Sequence, residues 1–127
     1  MSFCAAISCI DGRVHLPVIK YMQERFGVQY VDLINEPGVV AVLSSEPDSQ
    51  RSAFIFSKVD VSVEKHSPKA IAIVAHEDCA GNPVTKEKQM EQLAKSFKEL
   101  RSRYPNEAIH ALWVDGDWTV HEVPIPD

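Results

Sequence analysis

An unbroken apolar stretch at residues 70–75 constrains the fold more than any other feature of this sequence. A strand with no polar residue along it is typical of a parallel sheet that helices cover on both faces. We therefore predict a central strand here. It is closed by the polar segment His76-Glu77-Asp78-Cys79, and open α/β sheets bind their ligands beyond the carboxyl ends of strands.

Short apolar runs alternate with helix-period segments along the rest of the chain, which is the pattern of βαβ units. Further strands are predicted at residues 2–8 and 30–34, and residues 109–114 and 118–123 are predicted to pair as a hairpin around Asp115-Gly116. Residues 39–43 fit either a strand or the start of a helix. The predicted fold class is α/β, a compact three-layer domain with a mostly parallel central sheet and a C-terminal strand hairpin.

Three longer helices are expected from the spacing of apolar residues. The first has Pro17 in its first turn and ends at Gly27. The second carries Ile55, Val59 and Val63 on one face. The third and longest begins at an N-cap near Asn82-Pro83 and ends near residue 104.

The length and net charge of the chain limit the classes of function that it can have. A chain of 127 residues predicts one domain spanning residues 1–127. The 13 Lys and Arg residues against 18 Asp and Glu give a net charge of −5, which disfavours a nucleic-acid partner. Because no apolar run approaches the ~20 residues that span a bilayer and the N-terminus lacks a basic leader, we expect a soluble cytoplasmic protein without a membrane partner.

Two of the three cysteines follow predicted strands. Cys9 opens the segment Cys9-Ile10-Asp11-Gly12-Arg13, and Cys79 closes the segment that begins at His76. If the two strands are neighbours, two thiolates and one imidazole converge. This is a zinc ligand set that leaves a fourth position open. The plainer alternatives are that the cysteines fill the core and that Asp11 and Arg13 form an ordinary surface ion pair.

Other chemistries find less support. A cysteine phosphatase loop needs five residues between Cys and Arg, whereas three separate Cys9 from Arg13. The sequence has no Cys-x-x-Cys pair, no dinucleotide-binding glycine motif and no P-loop. We interpret His15 as a surface residue rather than an alternative ligand, and the remaining histidines as structural or solvated. These are His66, His110 and His121.

The two segments together resemble the motifs of the β-class carbonic anhydrases, Cys-x-Asp-x-Arg and His-x-x-Cys. The resemblance implies one Zn²⁺ per chain, bound by Cys9, His76 and Cys79. It also implies catalytic roles for Asp11 and Arg13, in which the carboxylate orients the zinc hydroxide or itself ligates the metal in a resting form. The implied reaction is reversible hydration of carbon dioxide to bicarbonate, in a homodimer or a higher even oligomer.

The sequence also departs from the family pattern. Asn35-Glu36-Pro37-Gly38 stands where members carry Arg-Asn-Ala-Gly-Asn, and we expect the protein to lack the helical arm that usually precedes the first motif. Three alternatives therefore stay open at this stage. They are a non-catalytic zinc-binding module of the same fold, a related hydrolase of carbonyl sulfide or carbon disulfide, and a metal-free fold in which the cysteines are merely close.

Overall fold

A computed structural model describes residues 1–126 and contains five strands and four helices within them. In chain order these are β1 Phe3–Ser8, α1 Gly12–Phe26, β2 Tyr30–Asn35, α2 Val39–Ser45, α3 Gln50–His66, β3 Ile71–His76, α4 Lys86–Arg103, β4 Ile109–Val114 and β5 Val120–Glu122. The strands form one sheet in the order β2-β1-β3-β4-β5. All neighbours are parallel except β4 and β5, which confirms the mostly parallel sheet and the C-terminal hairpin.

The apolar stretch becomes the central strand, as predicted. All six residues of β3 are buried, and the strand lies between β1 and β4. Its side chains alternate between the two faces of the sheet: Ile73 packs into the core beneath α2, α3 and α4, whereas Val74 packs beneath α1. Full burial of one such side chain stabilises the fold by about 1.5–3 kcal/mol, so a strand buried on both faces anchors both helical layers.

The first helix begins earlier than the sequence predicts. Asp11 is its N-cap, and its side chain accepts a hydrogen bond from the backbone N–H of Arg13 at 2.9 Å. Pro17 therefore lies in the second turn instead of the first. The open assignment at residues 39–43 resolves as helix α2, whose β-branched Val39 and Val42 are buried, so tertiary packing outweighs their strand propensity.

Two further boundaries differ from the predictions. Helix α4 begins at Lys86 with Thr85 as its N-cap; Asn82 instead donates its side-chain N–H to Gln92 Oε1 at 2.6 Å. The last strand begins at Val120, because Trp118 has a φ of 61° and cannot continue an extended strand. Within residues 1–126, no helix combines the length and the apolar composition needed to cross a membrane.

The buried hydroxyl of Tyr104 generates a stability prediction. It lies 2.7 Å from Asp60 Oδ1 and so connects the end of α4 to α3. We expect Tyr104→Phe to lower the free energy of unfolding by about 1–2 kcal/mol, since a hydrogen bond to a carboxylate is lost. Urea denaturation measures this effect, with Tyr30→Phe as control because Tyr30 is 48% exposed. Equal, negligible losses in both variants would contradict the prediction.

Candidate metal centre

The pairing of β1 with β3 brings Cys9, His76 and Cys79 together. Cys9 follows β1, His76 is the last residue of β3 and Cys79 lies in the turn beyond it. Their candidate ligand atoms all lie within 4.8 Å of one another, and the two Sγ atoms are 3.8 Å apart. All three residues are buried, so the cluster is shielded from bulk water.

The orientation of the His76 ring leaves one nitrogen available. Nδ1 lies 2.8 Å from the carbonyl oxygen of Glu77, and because a carbonyl can only accept, Nδ1 carries the proton. In the neutral ring Nε2 then carries the lone pair, and this is the form of the ring that binds a metal. In the described part of the chain Nε2 is the buried side-chain nitrogen or oxygen that lacks a hydrogen-bond partner. Such an atom is costly unless something binds it.

A buried glutamine on α4 forms a hydrogen bond to the backbone of His76. Gln89 of α4 donates its side-chain N–H to the carbonyl oxygen of His76 at 2.8 Å. The backbone around His76 is thereby fixed to the helix that covers it. Sequence reasoning missed this residue, since a single Gln at a helix position carries no signal that it is buried.

The two thiols of the cluster have different proton affinities. Burial raises the pKa of Cys9, but the His76 ring, which stabilises the thiolate when it is protonated, and the backbone N–H of Gly38 outweigh burial and lower the pKa to about 7. Burial and the neighbouring Cys9 raise the pKa of Cys79. Cys4 lies apart from the cluster; burial and then the charge of Asp32 raise its pKa to about 11. Near neutral pH roughly half of the Cys9 side chains are therefore thiolates, the form of Cys that binds metals.

Asp11 and Arg13 flank the cluster as an ion pair. Arg13 Nη2 lies 2.7 Å from Asp11 Oδ2, and Nε lies 3.1 Å from Oδ1. These hydrogen bonds are the main reason that the pKa of Asp11 is lowered to about 2. The Asp11 side chain is 18% exposed, so an ionised carboxylate lies at the edge of the buried cluster.

Arg13 has a second acidic partner that sequence reasoning missed. Its Nη1 lies 3.2 Å from Asp78 Oδ2, and its Nη2 lies 3.1 Å from the carbonyl oxygen of Asp78. Asp78 adopts a left-handed conformation with a φ of 56°. This conformation turns the chain between His76 and Cys79 towards Arg13. The local sequence does not predict it.

The segment that departs from the family pattern also reaches the site. The backbone N–H of Gly38 is one of the groups that lower the pKa of the Cys9 thiol. Gly38 has a φ of 57°, and a Cβ added there would lie 2.6 Å from the carbonyl oxygen of Gly81. Only glycine fits this approach of two backbones. A Pro-Gly pair such as Pro37-Gly38 indicates a turn, but it does not indicate contact with the Cys79 loop.

The histidines outside the cluster have other partners. We expected His15 on the surface, but it is half-buried. Its Nε2 lies 3.3 Å from the carbonyl oxygen of Cys9. The other three each pair with a carboxylate at 3.1 Å or less; they are His66 with Asp32, His110 with Glu122 and His121 with Asp115.

A family model described as "Putative carbonic anhydrase" matches residues 1–124. The chain belongs to this carbonic anhydrase family. No curated protein matches the sequence significantly. The family assignment agrees with the resemblance inferred from the Cys-x-Asp-x-Arg and His-x-x-Cys motifs.

Solved carbonic anhydrases share the fold. The β-carbonic anhydrase CafA of Aspergillus fumigatus superposes with a TM-score of 0.62 at 13% identity, over 98% of this chain and 76% of that one. A structure from a study of two tetrameric β-carbonic anhydrases of Sordaria macrospora gives 0.59 at 14% identity, over 94% and 79%. The β-carbonic anhydrase fold is therefore retained in this family member at low sequence identity.

The contact between Gly38 and Gly81 can be tested against a matched glycine. Gly27 has a similar φ of 63°, but a Cβ there would meet nothing within 4 Å. We expect Gly27→Ala to cost about 1–2 kcal/mol from backbone strain alone. Gly38→Ala should cost at least about 1 kcal/mol more, because backbone atoms must also move. The measurement is urea unfolding of both variants, and equal losses would show that the two loops are not in tight contact.

Proposed function

We propose that this protein is a zinc-dependent carbonic anhydrase, a lyase that catalyses reversible hydration of carbon dioxide to bicarbonate. The observation that carries the proposal is the buried Cys9, His76 and Cys79 cluster with its unpartnered His76 Nε2. The Asp11–Arg13 ion pair beside it adds a second reason. A purely structural zinc site has no need of such a pair.

The donor set suits zinc. Two thiolates and one imidazole match its preference for sulfur and nitrogen ligands, and three protein ligands leave a position for a reactant. Cys9 Sγ, His76 Nε2 and Cys79 Sγ would hold one ion per chain. The lowered pKa of Cys9 favours binding, since the metal displaces fewer protons. Bound zinc supplies a Lewis acid that lowers the pKa of water from 15.7 towards ~7.

The chain's own polar residues orient the reacting water. With a pKa of about 2, Asp11 is ionised at neutral pH and accepts a hydrogen bond without taking the proton. Its role is therefore orientation and not general-base catalysis. Arg13, bonded to both carboxylate oxygens, keeps Asp11 ionised and limits its rotation. A proton lost by that water would pass to solvent, since Asp11 does not take it up at neutral pH.

We also propose that the protein assembles as a homodimer or a higher even oligomer. The Sordaria relatives are described as tetrameric. In this chain β2 is an edge strand with one side free of a neighbouring strand among residues 1–126, and edges of this kind are commonly covered by a partner. Light scattering at micromolar concentration should give at least twice the chain mass. A monomer mass would reject this part of the proposal.

Metal retention tests the ligand set. We expect the parent protein, purified without chelator, to carry one zinc per chain by mass spectrometry. Cys9→Ser, His76→Ala and Cys79→Ser should each lose most of it, because two remaining ligands bind zinc weakly. Cys4→Ala is the control and should keep stoichiometric metal, since Cys4 lies outside the cluster. Full zinc retention in both serine variants would place the site elsewhere.

Stopped-flow hydration assays test the reaction. We expect the zinc-loaded parent to hydrate carbon dioxide and Asp11→Asn to lower kcat about 10- to 100-fold, the usual cost of losing a group that orients a metal site. Glu91→Gln is the control, because Glu91 pairs only with Lys88 on the surface of α4 in the contacts described. Zinc-loaded protein that is inactive on carbon dioxide would contradict the proposal. Activity on carbonyl sulfide or carbon disulfide, or none at all, would then identify which alternative holds.

A further inference from the structure

The guanidinium of Arg13 has partners from three separate segments of the chain. Its edge binds Asp11 and Asp78 through Nε, Nη1 and Nη2. Its Cζ lies over the Trp118 ring, 4.5 Å from the ring centroid. The Arg13 side chain is nevertheless 46% exposed, so Trp118 shields only part of the guanidinium from water.

Trp118 is held in place by the loop between β4 and β5. The carboxylate of Asp115 accepts hydrogen bonds from the N–H groups of Asp117 and Thr119 at 2.9 and 3.0 Å. The N–H of Trp118 donates to the carbonyl oxygen of Asp115 at 2.9 Å. This closed loop maintains the φ of 61° at Trp118, which is unfavourable for a bulky side chain. The ring also packs against the apolar cluster beneath α1.

We propose that Trp118 is a positioning residue that fixes the plane of the Arg13 guanidinium. The assignment follows from two requirements. A bidentate hydrogen bond to a carboxylate requires the arginine fork to lie in a defined plane, and a stacked ring sets that plane. The consequence for catalysis rests on the proposed function, whereas the claim about the side-chain geometry does not.

Competition between two carboxylates explains why such a residue is needed. Asp78 is 80% exposed and attracts Nη1, while Asp11 must keep Nε and Nη2. With water on both faces, Arg13 could rotate towards Asp78 and leave one oxygen of Asp11 unbound. Contact with Trp118 favours the orientation in which Arg13 donates hydrogen bonds to both Asp11 and Asp78.

The first test uses metal-free protein, so it does not depend on the reaction. In the parent, NMR should show nuclear Overhauser effects between the Arg13 side chain and the Trp118 indole; their absence would overturn the proposal whether or not any variant folds. Trp118→Leu should speed hydrogen exchange of the Arg13 Nε–H about threefold to tenfold, the range of a partly exposed cation–π contact.

Two variants serve as controls for this exchange measurement. Trp118→Phe should keep the exchange rate within about twofold of the parent, because an aromatic face remains. Phe54→Leu should leave it unchanged, since Phe54 is an exposed aromatic residue on α3, 58% exposed, outside the site. An Arg13 exchange rate that Trp118→Leu leaves at the parent value would refute the positioning role.

The second test links the positioning role to catalysis in zinc-loaded protein. Trp118→Leu should lower kcat about threefold to tenfold at full zinc content, and should cause no further loss in an Arg13→Gln background. An equal loss in both backgrounds would mean that Trp118 acts independently of Arg13 and would overturn the proposal. If the parent itself does not hydrate carbon dioxide, the proposed function fails, and the Arg13 exchange rate alone still decides the role of Trp118.

Discussion

The parallel pairing of β1 with β3 is the constraint on which the site depends. Because both strands run in the same direction and are neighbours, the residues that follow them meet at one edge of the sheet. Cys9 reaches this edge from one strand, and His76 and Cys79 from the other. Burial of β3 on both faces fixes the register, so the core and the candidate metal centre are built from the same strand.

A second layer of contacts joins loops that are far apart in sequence. The backbone N–H of Gly38 helps to lower the pKa of Cys9, the backbone of Gly38 lies against that of Gly81, and Arg13 bridges Asp11 and the turn at Asp78. These contacts lower the pKa values of Cys9 and Asp11, so that a thiolate and a carboxylate are available near neutral pH. The environment of the site is therefore set by backbone approaches as much as by the motif residues themselves.

The predictions from sequence succeeded where one segment carries its own signal. The apolar run identified β3, and two short motifs identified the family and the residues that the structure brings together. They were wrong at the start of α4, where Thr85 and not Asn82 caps the helix. They did not predict the contacts that Asp78, Gly38 and Trp118 make at the site, and they placed Trp118 in a strand. The roles of these residues depend on a left-handed backbone conformation or on a contact between distant segments. Neither feature produces a periodic pattern of apolar residues in the sequence.

The most direct test of the central claim is anomalous diffraction at the zinc absorption edge, using crystals of the parent protein purified without chelator. The account predicts one anomalous peak per chain, bonded to Cys9 Sγ, His76 Nε2 and Cys79 Sγ at about 2.0–2.3 Å, the usual lengths of zinc bonds to nitrogen and sulfur. Density showing these three side chains around no metal, with the two thiols joined or simply packed, would contradict it.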